Sequence, residues 1–459
     1  MRNVLIIAWA CTLLAACSGG TNKDANDGSN EPPNVLFIVV DDLNTTLGCY
    51  DHPVVKTPHV DQLADEGILF EHAYSNYAVC NPSRSSFLTG LYPETTTIID
   101  NRKPLQSILG DRVTLPYFFK QHGYYTMSLG KVFHRFEEDH NDYKAWDEIY
   151  VYETTETGKQ GEGRNMTGGE LKWCRWLAAD GDDEDQQDGQ VAAKAVEFIK
   201  SDHEKPFFLA VGLHKPHDPF NAPKKYFDMY PLEACDPPPL PPDWEPPYPY
   251  TLPNQTRIFN QFTEQDKREF LRSYYACTSF MDAQVGKIME ALEASGQLEN
   301  TIIIFFGDHG YHLGEHNWWN KVTIYEMGTR APFIIAGQPV TEKGVRSEAM
   351  FEFVDIYPTL GELAGLDSIP TYLEGKSFAE VVADPSLSFR SEVRSIVSRG
   401  NMPGRTVKNA QWRYTEWDNG NMGRELYDQV NDPIEYINVA EDPQYEKDVT
   451  EMRALLYAE

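Results

Sequence analysis

Three stretches of this chain are apolar almost without interruption, and each stops at charged or imidazole side chains. Residues 34–40, N-V-L-F-I-V-V, halt at Asp41-Asp42; residues 206–213, P-F-F-L-A-V-G-L, halt at His214; residues 301–306, T-I-I-I-F-F, halt at Gly307-Asp308-His309. A β-branched and aromatic run with no polar alternation predicts a strand covered on both faces, as in a parallel sheet. Between and after the runs lie helical patterns at 114–122, 187–201, Glu264–Ala294 and 355–366, with further strands at 124–129 and 331–336. Thr57-Pro58 opens another short helix that ends at Gly67. This alternation predicts an α/β fold, a large mostly parallel (mixed) central sheet sandwiched by helices. At 459 residues and 41% hydrophobic content the chain can bury such a core. Asp41, Asp42, Lys131, His214, Asp308 and His309 all fall just past a predicted strand, at the carboxyl edge where open α/β sheets gather ligands.

The two ends read differently. Arg2 precedes a short apolar run that closes on Leu14-Ala15-Ala16-Cys17. This has the plan of a secretory leader and resembles a bacterial lipoprotein signal, which implies cleavage after residue 16 and lipid on Cys17. Residues 17–33 are small and polar, a flexible tether. The expected organisation is therefore leader 1–16, tether 17–33, catalytic α/β domain 34–384, and a small C-terminal α+β subdomain 385–459 carrying an antiparallel sheet. The expected location is the bacterial cell envelope, with membrane contact only through the lipid. Residues 236–253 hold a proline-rich stretch, which predicts a stiff loop that either walls a cleft or packs on the surface. A net charge of −30 argues against nucleic acid as a partner. Seven cysteines are present with no C-x-x-C; five follow Cys17, so at least one thiol stays unpaired.

Asp41, Asp42 and Asp308 supply hard oxygen ligands from two strand ends, and together they would repel one another without a divalent cation such as Ca²⁺ or Mg²⁺. Cys80-Asn81-Pro82-Ser83-Arg84 suits a helix start. Unpaired N–H groups and the helix dipole favour an anion there, and Arg84 follows on the same face. An unmodified thiol at that place would be a low-pKa nucleophile, or else a buried, inert cysteine.

The stretch C-N-P-S-R-S-S-F-L-T-G at 80–90 resembles the sulfatase signature C-x-P-S-R-x-x-x-L-T-G at every defined position. The resemblance continues through G-K-V-F-H at 130–134, H-K-P-H at 214–217, G-D-H-G at 307–310 and L-Y-D at 426–428. It looks most like the iduronate-2-sulfatase type of this alkaline-phosphatase-like superfamily. His309 stands where many sulfatases carry Asn, and Lys131 and His134 are three apart, as in that type.

The resemblance implies that a separate maturation enzyme oxidises Cys80 to formylglycine, whose hydrate attacks sulfur and later expels sulfate. It implies a metal, Ca²⁺ or Mg²⁺, on Asp41, Asp42, Asp308, His309 and residue 80. Arg84 and Lys131 would steady the nucleophile, and His134 would be the base for elimination. His214 and Lys321 would face the sulfate, with His214 protonating the leaving oxygen. His217, His312 and His316 are second candidates for substrate contact, and Trp318 offers a ring to a sugar or to the core. The implied activity is hydrolysis of sulfate esters on a sulfated oligo- or polysaccharide, with 2-O-sulfated iduronate or a similar uronic acid of a glycosaminoglycan-type glycan leading. Another sulfated polysaccharide such as an algal one, phosphate or phosphonate monoester hydrolysis, and a non-catalytic glycan-binding role are the alternatives.

Overall fold

The apolar runs become the middle of an eight-stranded sheet in the computed structural model, which describes residues 32–458. The leader, Cys17 and the tether up to residue 31 lie outside the described residues. In chain order the sheet strands are β1 Asn34–Val40, β2 Gly67–Tyr74, β3 Tyr125–Gly130, β4 Glu148–Tyr150, β5 Phe207–Leu213, β6 Thr301–Gly307, β7 Phe333–Gly337 and β8 Val345–Glu352. Their spatial order is β8-β2-β7-β6-β1-β5-β3-β4. Only β7 runs against its neighbours, β2 and β6; the other pairings are parallel. The four strands that end in polar motifs, β6, β1, β5 and β3, are therefore adjacent, and their motifs open on the same edge.

Alternation along β1 sends Val35, Phe37 and Val39 to one face and Leu36, Ile38 and Val40 to the other. The first face packs on α2 Cys80–Thr89, α3 Leu115–Gln121 and α6 Ile356–Leu363, through side chains such as Phe87, Phe118 and Leu360. The second packs on α1 Pro58–Asp65, α4 Gln187–Ile199 and α5 Glu264–Ala294, through Leu63, Ala192 and Val285. Each Leu, Val or Phe side chain taken out of water contributes about 1.5–3 kcal/mol. That is why a strand with no polar face is stable here. The long α5 starts at a capping box: Asp266 N–H donates to Thr263 Oγ1 (3.2 Å), and Thr263 N–H donates to Asp266 Oδ2 (2.9 Å).

A separate four-stranded antiparallel sheet follows: β9 Val393–Arg399, β10 Met402–Lys408, β11 Trp412–Trp417 and β12 Gly423–Asp428, in sequential order. The terminal helix α7 Glu446–Leu456 covers it through Val449, Met452 and Leu456. The proline-rich loop packs on this sheet. Trp244 Nε1 donates to Tyr436 O at 3.0 Å, and the Tyr250 ring lies 5.3 Å from Trp417. Among the described residues the five cysteines are free thiols, and no helix is long and apolar enough to cross a membrane.

Candidate active site

The strand ends are stitched together one residue beyond the sheet. Asp41 N–H donates to Leu213 O (3.0 Å), Asp308 N–H to Val40 O (3.0 Å) and Lys131 N–H to Gly212 O (2.9 Å). Gly130 allows the last contact: it sits at φ 68°, and a Cβ there would lie 2.3 Å from Gly212 O. Asp42 adopts φ 61°, a region that Asp tolerates better than most residues, and its N–H donates to Asp308 Oδ1 at 3.1 Å. Helix α2 then brings Cys80, its first residue, to the same place. The helix is buried along its whole length and ends at Gly90 (φ 66°), whose N–H closes on Ser86 O. The L-T-G of the motif is thus a helix stop.

Three cations face three carboxylates around Cys80. Arg84 is 1% exposed; its Nε donates to Asp308 Oδ2 (2.9 Å), an Nη2 to Asp41 Oδ1 (3.3 Å) and Nη1 to the Lys131 and Val132 carbonyls. Lys131 Nζ pairs with Asp41, and Lys321 Nζ pairs with Asp42 and lies 3.0 Å from Cys80 Sγ. Burial opposes the Asp41 charge, but the Lys131 and Arg84 cations outweigh it and hold this carboxyl well below the usual range. At Asp42 burial wins over the pull of Lys321, and its pKa is raised. Burial, with Asp41 beside it, pushes the Cys80 thiol up. The expectation of a low-pKa thiolate is therefore corrected: at zero exposure desolvation exceeds what a helix N-terminus supplies.

Three histidines join the cluster. His214 Nδ1 lies 3.4 Å from Asp41 Oδ2, and its ring stacks on His217 with centroids 4.8 Å apart. Burial and Lys215 bring the His214 pKa down to about 4. His217 Nε2 reaches Asp41 (3.9 Å) and Asp42 (3.8 Å). Burial and Lys131 bring His134 down to about 2, and its buried Nδ1 has no partner among the described residues. All three are neutral imidazoles near pH 7.

The donor set fits a divalent metal. Ligand atoms of Asp41, Cys80, Asp308 and His309 lie within 4.8 Å of one another, as do those of Asp41, Asp42, Cys80 and His217. His309 Nδ1 is held by Gly310 O (2.9 Å), which leaves Nε2 to face Asp42 Oδ1 (3.4 Å), Asp308 Oδ1 (3.5 Å) and Cys80 Sγ (3.5 Å). A backbone-oriented imidazole is how proteins aim a metal ligand. Asp42 Oδ2 is buried without a partner among the described residues, an acceptor left for a cation.

Three substrate-contact candidates lie elsewhere. His312, His316 and Trp318 are at most 2% exposed and enclosed by protein, with His316 Nδ1 left without a hydrogen-bond partner among the described residues. His312 Nε2 meets Thr323 Oγ1 (2.7 Å), His316 stacks on Tyr325 at 4.0 Å, and Trp318 Nε1 donates to Lys321 O (2.8 Å). The D-H-G-Y-H-L-G-E-H stretch dives into the core after His309, so these three shape the Lys321 loop from beneath rather than touch a sugar.

Sequence reasoning missed Asp188, in the first turn of α4. It is buried and accepts the backbone N–H of His214 (2.9 Å) and of Lys215 (2.7 Å), which fixes the histidine loop. It also missed Asn81, whose side-chain amide donates to Asp100 O and Lys103 O, both at 2.9 Å, tying residues 100–103 to the start of α2. Only G-Q beside an Asp at a helix start marked Asp188, a pattern shared with any surface helix.

Comparison with known proteins agrees with this geometry. The sulfatase family model matches residues 33–366, and the model for the C-terminal part of N-sulphoglucosamine sulphohydrolase matches 314–459. The chain is 32% identical to a sulfatase of Formosa agariphila, covering 93% of this chain and 86% of that one. It is 30% identical to human iduronate 2-sulfatase, covering 96% of each. A solved structure of a protein bound to D-glucosamine-2-N,6-O-disulfate superimposes with TM-score 0.76 at 21% identity, covering 93% of this chain and 97% of that one. With a signature stretch opening α2 and a family match over most of its length, this chain belongs to the sulfatase family.

Proposed function

We propose that this protein hydrolyses a sulfate ester of a uronic-acid-containing glycan, with 2-O-sulfated iduronate or a close relative as the first substrate. The observation that carries the reading is the balance of charge around residue 80: Arg84, Lys131 and Lys321 offset Asp41, Asp42 and Asp308, so a divalent cation held by these carboxylates would leave the site net positive in a chain of net charge −30. Such a field attracts an anionic group to one spot and repels it elsewhere. The likeness to human iduronate 2-sulfatase over nearly the full length of both chains supports the sugar.

Asp41, Asp42, Asp308 and His309 would hold the divalent metal, Ca²⁺ first and Mg²⁺ second by their oxygen-rich set. Bound there, a metal would lower the pKa of an adjacent oxygen nucleophile and draw off sulfate charge. Cys80 Sγ marks the place of the formylglycine oxygens, and that group would supply the nucleophile and a second hydroxyl for expelling sulfate. Lys321 Nζ binds the sulfate oxygens, and Lys131 Nζ holds Asp41 and the nucleophile in register. His134, whose buried Nδ1 has no partner among the described residues, would take the proton from residue 80 in the elimination step. His214, its Nδ1 3.4 Å from Asp41 Oδ2, would protonate the leaving oxygen. Export through residues 1–16, a lipid on Cys17 and conversion of residue 80 by a maturation enzyme complete the proposal.

The test is sulfate release from matured protein on a 2-O-sulfated uronate disaccharide, its 6-O-sulfated isomer, and a sulfate and a phosphate ester of one leaving group. Release confined to the 2-O-sulfated sugar and preference for sulfate over phosphate is expected. Faster phosphate hydrolysis, or binding of the sugar with no release, would sink the reading.

A further inference from the structure

Lys321, which faces residue 80, is followed by the least comfortable backbone in the cleft. Val322 has φ 73°. In the left-handed region a β-branched side chain is a genuine outlier, and such strain persists only where surrounding structure over-determines it. Both backbone polar groups of Val322 are held. Its N–H donates to Ala78 O at 3.1 Å, two residues before Cys80. Its carbonyl accepts Arg399 Nη2 at 2.8 Å.

Arg399 ends β9 of the antiparallel sheet, far along the chain from every motif in the cleft. Its Nη2 also donates to Thr251 O (3.0 Å) and its Nε to Tyr250 O (2.9 Å), both in the proline-rich loop. The guanidinium lies over Trp417, 5.5 Å from the ring centroid. The planar fork thus binds three segments at once: the strained turn beside Lys321, the proline-rich loop and the end of β9. A lysine ammonium, a point donor on a flexible stem, cannot span these carbonyls in one plane.

We propose that Arg399 is a positioning residue: it clamps Val322 in a left-handed conformation and so delivers Lys321 to residue 80. Without the clamp, Val322 relaxes toward negative φ. A change of this size at residue 322 rotates the preceding peptide and swings Lys321 away from Asp42 and residue 80. The C-terminal sheet then acts in the reaction without touching substrate. The inference rests on the sulfatase reading for what Lys321 does, but the clamp itself is a conformational claim that can be measured without turnover.

The experiment is a cycle of four proteins: wild type, Val322→Gly, Arg399→Met and the double variant, each with residue 80 confirmed matured by peptide mass. Two readouts are taken. Amide hydrogen exchange of a peptide spanning 320–325 reports the Val322 N–H bond to Ala78, with a peptide from β1 as control. Steady-state kinetics on a sulfate ester reports Lys321. Arg399→Met is expected to speed exchange in 320–325 at least tenfold, leave β1 unchanged, and lower kcat/KM at least tenfold. Glycine adopts φ 73° without a clamp, so Val322→Gly in the Arg399→Met background should recover most of the kcat/KM loss. If Arg399→Met does not fold, Arg399→Lys serves, with an intermediate effect and the same rescue. Unchanged exchange in 320–325, or a kcat/KM loss that Val322→Gly does not reduce, overturns the proposal. A wild type that turns over no sulfate ester refutes the function reading and leaves the exchange result to decide the clamp alone.

Discussion

Asp188→Asn is the sharpest test of how the histidine loop is held. The buried Asp188 carboxylate accepts N–H groups from two successive residues, with Oδ1 and Oδ2 at 2.9 and 3.0 Å from His214 N and Oδ2 at 2.7 Å from Lys215 N. Asparagine keeps the shape and, with its oxygen at the Oδ2 place, still accepts from both N–H groups, but the charge is gone and its NH₂ takes the Oδ1 place, where it opposes the His214 N–H. A hydrogen bond to a charged, buried acceptor contributes about 1.5–3 kcal/mol. The carboxylate is itself strained by burial, which raises its pKa to about 6, so part of that loss is recovered when the charge goes. The net expectation is about 2 kcal/mol, spent in the loop that carries His214 and His217. If it appears as displaced His214, kcat/KM on a sulfate ester falls roughly thirtyfold, at about 1.4 kcal/mol per factor of ten. The assay pairs that rate with the urea midpoint. Rate loss with a small stability change places Asp188 as a positioner of the loop. A variant within twofold of wild type in both would refute the reasoning.

Further expectations follow from the same geometry. Arg413 bridges the buried Glu326 (2.6 Å) and Glu435 (2.5 Å), so Arg413→Met should lower unfolding free energy by about 3 kcal/mol in chemical denaturation, because Glu435 loses its paired cation and Glu326 keeps only Lys408 and Arg330 nearby. His316 is held neutral by burial, with its pKa lowered from 6.5 to about 4. Its folded pKa lies below its unfolded one, so stability is whole above pH 6.5 and falls as pH drops from 6.5 toward 4, by at most about 1.4 kcal/mol per unit; a His316→Phe protein should show a flatter pH dependence of unfolding over that window. Chelation followed by dialysis should abolish sulfate release and lower the thermal midpoint, and readdition of Ca²⁺ or Mg²⁺ should restore both; a metal at a hundredfold its Kd adds about 2.7 kcal/mol. A midpoint indifferent to metal would contradict the fit of the Asp41–His309 cluster.

The parts of this fold that showed in the sequence are those set by local physics. β1, β5 and β6 are uninterrupted apolar runs because both faces are covered, and the polar residue at each end is where the cover stops. The long α5 showed as an unbroken helical pattern over Glu264–Ala294, and a Thr263–Asp266 capping box opens it. β2, G-I-L-F-E-H-A-Y, and β8, V-R-S-E-A-M-F-E, were not, because they lie toward the sheet edge and mix polar with apolar residues. The strand β7 was found, but its reversed direction depends on pairing with β2 and β6, which no local pattern encodes. The site follows the same rule. Asp41, Asp42, Lys131, His214 and Asp308 could be read from strand ends, whereas Asp188 and Arg399 act through hydrogen bonds to backbone 26 and 77 residues away. His312, His316 and Trp318 misled because aromatic and imidazole side chains near a motif serve packing as readily as binding.

The central claim is that residue 80 works as formylglycine and not as a thiol. It is tested most directly by the mass of the peptide containing Cys80-Asn81-Pro82-Ser83-Arg84, from protein made in a host that has the maturation enzyme. The account predicts a mass about 18 Da below the cysteine form, the difference between –CH₂SH and an aldehyde, in the same preparation that releases sulfate. A preparation that releases sulfate while Cys80 remains wholly unmodified would contradict it.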